Sequence, residues 1–459
     1  MTKPALWPLV VALAGSLLVV SCTPGGTQDA STSAPVIVAG GSVVVESVPL
    51  PDSAGYQRVY SGGDPAGAVL YSSVTGFLGL REGSGLEIHF YKQDGVGFVE
   101  TTIIPSAQEA AMAALRCDGA TPECLPGGDG EHYLEGAIVA IEPSTGRILA
   151  LVSTPGFDPN PLASHDVDAA VAAHTTLTGA PGNPLRNKAY AERYYPGSTF
   201  TVITAAAALE SGEYSPETLL YGPQVLDLPQ TVATMKNPSG AACDPTSDQI
   251  SLADSLKISC TTAFAQLGMD LGEDAVRHQA EAFGFDQQVH IPMPALDSTF
   301  PPVPRAAAMA HFATGQGVQA TPLQMAMVSA AIANDGVMMR PYLAETVRGP
   351  DQSVITTTRS DRFGQPVSEG TARQLTQMME ATASSGGTAQ ADAVPLAAIT
   401  GIVTYGNRSP YMWFTGFAPA NNPQVAVVVF VKNGDDLEDP TSENLEPMAR
   451  LVIDAVLNR

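Results

Sequence analysis

Ser198 is the residue of this chain best placed to do chemistry. It stands in Tyr194-Tyr195-Pro196-Gly197-Ser198-Thr199-Phe200, and an alanine-rich apolar stretch from Thr201 to Glu210 follows at once. Pro-Gly closes an irregular run, so the pattern predicts a helix that starts at or near Ser198. A serine there lies among free N–H groups at the positive end of the helix dipole. It can cap the helix, or it can attack an acyl group if a base lies one turn away on the same face. One turn on is Thr201, whose hydroxyl is not basic at neutral pH.

Two further groups could work with such a serine. Ser259, in Ser259-Cys260-Thr261, reads either as a helix-linking cap or as a proton relay. Ile399-Thr400-Gly401-Ile402 lies in a strand-like run, where Gly401 suits close approach of a ligand to the backbone. Bases are scarce: the chain has six lysines, at 3, 92, 188, 236, 257 and 432. Lys257, two residues before Ser259, should point away from it on a helix. Lys188 lies ten residues before Ser198, and the sequence does not place it. The seven histidines are scattered and no spacing resembles a zinc site, so neither a metal nor a cofactor is expected.

The elements that position these residues follow from composition and pattern. A chain of 459 residues with 44% hydrophobic content can bury large cores in two or three domains. A net charge of −24 argues against nucleic-acid partners. Residues 1–22 read as a targeting segment: Lys3, an apolar stretch from Ala5 to Val20 that is short for a span, and Val19-Val20-Ser21-Cys22, which resembles a bacterial lipobox. That resemblance implies a lipid anchor on Cys22; an uncleaved signal anchor is the alternative. Either way, the bulk of the chain is expected on the extracytoplasmic face of the membrane. Residues 23–35 read as a flexible tether.

Residues 36–135 read as β-rich with one helix: strands near 42–48, 56–60 and 101–105, and a helix over about 106–116. Residues 136–459 begin with a hairpin, 136–142 and 147–152, around Pro143-Ser144-Thr145-Gly146. A mostly helical stretch runs to about 334. Strands return at 397–404, 411–418 and 424–432, and a helix closes the chain over about 443–458. Strands split around a helical insertion give an α/β sheet backed by helices, with an α subdomain beside it. Four cysteines other than Cys22 allow three pairings. Cys117–Cys124 and Cys243–Cys260 are favoured, because each pair stays within one module.

Tyr-x-Pro-Gly-Ser-Thr-Phe, Arg186-Asn187-Lys188-Ala189, Gly315-Gln316-Gly317 and Trp413-Phe414-Thr415-Gly416-Phe417 together resemble the class B penicillin-binding proteins, most of all the actinobacterial penicillin-binding protein A type. The resemblance runs from about residue 40 to the end and implies a serine β-lactamase-like transpeptidase fold on an N-terminal pedestal. In that family the motifs are Ser-x-x-Lys, Ser-x-Asn and Lys-Thr-Gly followed by Thr. Here they become Ser198-x-x-Thr201, Ser259-x-Thr261 and Ile399-Thr400-Gly401-Ile402. Both lysines and the asparagine are replaced, as is the carboxylate-binding threonine. The backbone amides of Ser198 and Ile402 would still form the oxyanion hole.

The resemblance therefore implies a protein of peptidoglycan synthesis that keeps the fold and has lost the base, a binding or scaffold protein. Two alternatives stand beside it. One is an active D,D-transpeptidase with a non-standard base; the other is a sensor of β-lactams or muropeptides. Peptidoglycan stem peptides, β-lactams and cell-wall synthesis proteins are the implied partners, with the membrane reached through the lipid anchor.

Overall fold

Runs rich in Val, Ile and Tyr form the first described strands: β1 Val36–Ala39, β2 Ser42–Pro49 and β3 Tyr56–Tyr60. Gly40 and Gly41, at φ +54° and +83°, supply the tight turn between the first two. Three helices and a strand follow: α1 Pro65–Thr75, α2 Gly85–Tyr91, β4 Phe98–Thr101 and α3 Pro105–Ala114. The sequence reading expected only α3 here. α1 escaped it because its Gly, Ser, Val and Thr residues weaken the helical signal. Asp64 caps α1, its carboxylate accepting from the Ala66 and Gly67 amides.

The computed structural model describes residues 34–51, 55–79, 82–91, 93–117, 132–303, 305–383, 394–404, 409–432 and 445–458. Cys22, most of the tether and Cys124, and with it the expected Cys117–Cys124 bond, lie outside the described residues.

The second half opens with β5 Gly136–Ile141 and β6 Ile148–Thr154, buried at every position. Helices then dominate: α4 Val167–Gly179, α5 Thr201–Glu210, α6 Leu252–Lys257, α7 Thr261–Ala282, α8 Ala306–Ala313 and α9 Pro322–Ala333. Next come β7 Ala344–Arg348, β8 Val354–Thr357 and α10 Glu369–Ala383. The chain ends with β9 Ala397–Val403, β10 Tyr411–Ala418, β11 Val425–Val431 and α11 Leu445–Leu457.

An antiparallel sheet, in the order β9–β10–β11–β5–β6, carries the site. Buried residues of α3 and α11 pack on one face, among them Ala111, Val452 and Ile453. α9 packs on the other, its Met325 and Val328 in a core continuous with Phe200 of the serine turn and Ile203 of α5. A run buried on both faces reads as unbroken hydrophobicity, which is what β11 shows in Val-Ala-Val-Val-Val-Phe-Val. β9 is an edge strand, so one side of its backbone is left for another element or a ligand.

The N-terminal strands build a second sheet, β8–β7–β4–β1–β2–β3. Its last two members come from 344–357, where the sequence reading placed no strands. β8 is exposed along its whole length and so has no apolar alternation to read. The expected helical stretch also contains short strand pairs, Leu219–Tyr221 with Gln249–Ser251 and Val225–Asp227 with Thr234–Lys236. Three residues are too few to establish a period.

Candidate active site

The turn that carries Ser198 is fixed from three sides. Tyr194 and Ala320 exchange backbone hydrogen bonds of 2.9 and 2.8 Å. The buried Trp413 indole on β10 donates to the Tyr195 carbonyl at 3.0 Å. Gly197, at φ +55°, donates its amide to the Gly315 carbonyl at 3.3 Å. A Cβ on Gly315 would stand 2.2 Å from the Gly197 oxygen, so only glycine fits this contact. Gly197–Phe200 then forms one 3-10 turn that passes directly into α5.

Ser198 caps neither segment. Its side chain is half-buried, and its hydroxyl makes no hydrogen bond among the described residues. Thr199 Oγ1 donates to the Pro196 carbonyl at 2.7 Å. Thr201 Oγ1 donates to the Ser198 carbonyl at 2.6 Å, and Thr201 is only 3% exposed.

β9 lies against this turn. A Cβ on Gly401 would meet the Thr199 nitrogen at 3.0 Å and the Ser198 nitrogen at 3.1 Å. The missing side chain is what lets an edge strand approach the first turn of a helix, where backbone amides lack intrahelical partners. Ser259 sits in the break between α6 and α7, in the left-handed region at φ +54°. That conformation is uncommon for a residue other than glycine and concentrates at sites whose surroundings dictate the backbone.

These three pieces enclose a cavity of about 220 Å³. Ser198, Ser259, Thr400, Gly401 and Ile402 all line it. Thr201, Thr261 and Ile399 do not: they are buried beside it, with Ile399 in the core at 0% exposure. The sequence reading did not assign the remaining wall, which comes from Asn237, Pro238, Ser239, Ala242, Cys243, Ile258 and Cys260, to the site. Asn237 lies in a Pro/Ser/Gly segment that gave no signal; Ile258 lay one residue from Ser259 and could have been found by adjacency. Cys243 and Cys260 form a disulfide within this wall, with Cα atoms 5.8 Å apart.

No side chain lining the cavity among the described residues is titratable. Lys188 is fully buried elsewhere: its Nζ donates to the Gly182 carbonyl at 2.6 Å and lies 3.8 Å from Glu135 Oε1. Burial pushes its pKa down, against the opposing pull of Glu135. Lys432 holds the same carboxylate at 2.6 Å. Lys257 is exposed and absent from the wall. Among the described residues no group of three or more His, Cys, Asp or Glu could hold a metal ion, and no helix is long and apolar enough to cross a membrane.

A serine at the head of an α-helix, flanked by a helix-linking serine and an edge strand, defines a penicillin-binding-protein transpeptidase domain, and residues 136–454 match the family model of that description. The chain belongs to this family, and within it to the class B, PbpA-like members. It is 39% identical to peptidoglycan D,D-transpeptidase PbpA of Mycolicibacterium smegmatis over 92% of this chain and 88% of that protein. The corresponding protein of Mycobacterium tuberculosis is 38% identical over the same shares. Its crystal structure superposes with a TM-score of 0.84 at 36% identity, covering 93% of this chain and 100% of that one. A further structure of that protein is a penicillin G acyl-enzyme complex, with the same TM-score of 0.84.

Proposed function

We propose that this chain is a pseudo-transpeptidase: a lipid-anchored, extracytoplasmic homologue of PbpA that binds or scaffolds in peptidoglycan assembly without efficient acyl transfer. One observation carries the reading. The cavity at Ser198 has no titratable wall among the described residues, and the hydroxyl at the lysine position is engaged with the Ser198 carbonyl. Positioned general-base catalysis contributes about 10²–10⁴-fold, and losing a whole cooperating unit costs on the order of 10⁶. Val19-Val20-Ser21-Cys22 supports the lipid anchor. Pairing of β7 with β4 supports a pedestal of residues 36–135 held firmly to a transpeptidase-like domain of residues 136–459.

A second reading has its own support. The Ser198 hydroxyl has no competing hydrogen bond among the described residues, and Gly401 lies against the Ser198 amide, as an oxyanion hole built from the Ser198 and Ile402 amides would require. An acyl-enzyme on Ser198 with a base from outside the cavity is therefore the alternative.

Fluorescent penicillin labelling of the purified protein separates the two. The pseudo-transpeptidase reading expects no label on the wild type and label on Thr201→Lys/Thr261→Asn/Ile399→Lys. Wild-type label that disappears in Ser198→Ala overturns it in favour of an active enzyme.

A further inference from the structure

We propose that the Ser198 cavity selects uncharged, carbonyl-bearing ligands over those with a free carboxylate, and that Ile258 and Ile402 set this preference. The inference rests on reading the cavity as a retained ligand site.

The wall chemistry points this way. An anion entering a 220 Å³ cavity sheds much of its water, and neutral hydroxyl donors repay that cost less fully than a cation would. The wall offers no cation among its described residues. The lysines nearest in sequence, Lys236 and Lys257, are both exposed and neither lines the cavity.

Among the described residues Asn237 is the one amide side chain in the wall, and its groups are engaged. Its Nδ2 donates to the Pro223 carbonyl at 3.3 Å and to the Ala241 carbonyl at 2.9 Å. Its Oδ1 accepts from the Thr262 amide at 3.0 Å and the Thr262 hydroxyl at 3.2 Å. It holds the loop to α7 and has no N–H left for a ligand. What the cavity offers among the described residues is neutral throughout: the hydroxyls of Ser198, Ser239, Ser259 and Thr400, and the aliphatic side chains of Ile258 and Ile402. Ile258 is 51% exposed and Ile402 is 40% exposed. Such a set favours a ligand whose carbonyl accepts hydrogen bonds and whose terminus is amidated, esterified or apolar. The net charge of −24 further disfavours an approaching anion.

The test is calorimetric titration of the full-length protein in detergent, as wild type and as Ser198→Ala. The two probes are N-acetyl-D-alanyl-D-alanine and its C-terminal amide. The amide should bind about tenfold more tightly or better in both proteins, and the acid should gain about tenfold in Ile402→Lys while the amide is unchanged. Ile258→Lys repeats that arm at a second wall residue, exposed enough to accept a lysine should Ile402→Lys not fold. Equal or tighter binding of the acid overturns the proposal, as does no binding of either probe up to its solubility limit. Acylation of the wild type by penicillin would defeat the pseudo-transpeptidase reading, yet leave the ratio in Ser198→Ala to decide this one.

Discussion

The Thr201 hydroxyl donates a 2.6 Å hydrogen bond to the carbonyl oxygen of Ser198, not to its side chain. A threonine one turn along from a serine could in principle have faced the reacting hydroxyl. Here it bonds back onto the helix, a local option always open to threonine. The hydroxyl thereby supports the first turn of the helix. Thr201→Val should lower stability by about 1 kcal/mol, the net worth of one hydrogen bond, and leave ligand affinity at Ser198 unchanged. Denaturant unfolding and calorimetry check both; a tenfold loss of affinity would mean the hydroxyl acts on the ligand after all. Thr201→Lys alone should not restore penicillin labelling, because the groups of such a site act as a unit and Thr261 and Ile399 remain.

The strong elements of this fold were legible in the sequence. β5, β6, β10 and β11 are long apolar runs, and α5 follows a Pro-Gly break. Ser198, Ser259, Thr400, Gly401 and Ile402 could be named from motifs and converge on one cavity. Long-range pairing was not legible. β7 reaches back to β4 across more than two hundred residues, and nothing local in Ala-Glu-Thr-Val-Arg announces that partner. Asn237 escaped for a related reason: its role depends on Thr262 and Pro223, which only the folded chain brings to it.

Gly401→Ala tests the contact between edge strand and serine turn. The added methyl would meet backbone nitrogens at 3.0 and 3.1 Å, and neither belongs to a flexible side chain that could yield. The strand must move away from Ser198, at a cost of about 1–3 kcal/mol. Thermal unfolding should report the loss, with a parallel fall in ligand affinity. Stability lost with affinity intact would place the ligand away from this contact.

A buried ion pair holds the N-terminal sheet to its first residues. Arg58 donates to both Glu87 oxygens, at 2.8 and 2.6 Å, and Tyr60 donates to the same carboxylate at 3.1 Å. Arg58 also donates to the Ala34 and Pro35 carbonyls, where the described chain begins. Arg58→Met strands a buried carboxylate and should cost about 3–5 kcal/mol. Arg58→Met/Glu87→Leu should cost less than the two single changes combined. Strict additivity in urea unfolding would show that the pair is not coupled.

Glu210 ends α5 and ties the serine helix to α10. Its Oε1 accepts from the Ser368 amide and hydroxyl, each at 2.9 Å. Burial alone would raise the carboxyl, but hydrogen bonds from Thr371 and Ser368 outweigh it and hold its pKa below the usual range. The unfolded chain then binds the proton more readily, so the stabilisation is present above the ordinary glutamate value of about 4.3. It is lost as pH falls through the lower folded value. Glu210→Gln should flatten the fall of the unfolding midpoint below about pH 5 relative to wild type. Parallel profiles would remove Glu210 from the acid response.

The Cys243–Cys260 disulfide joins two parts of the cavity wall that are 17 residues apart in sequence. Closing a loop of that length restricts the unfolded chain by about 3 kcal/mol. Cys260 is buried at the start of α7, next to Ser259, whose left-handed backbone needs fixed surroundings. Opening the bond should therefore act on stability and on the shape of the site together. Cys243→Ala/Cys260→Ala should lower stability by about 3 kcal/mol and weaken ligand binding about tenfold. Dithiothreitol should reproduce both effects in the wild type and leave ligand affinity unchanged in the double variant. If stability falls but affinity holds, the Asn237 hydrogen bonds to Pro223, Ala241 and Thr262 suffice to keep the wall in place.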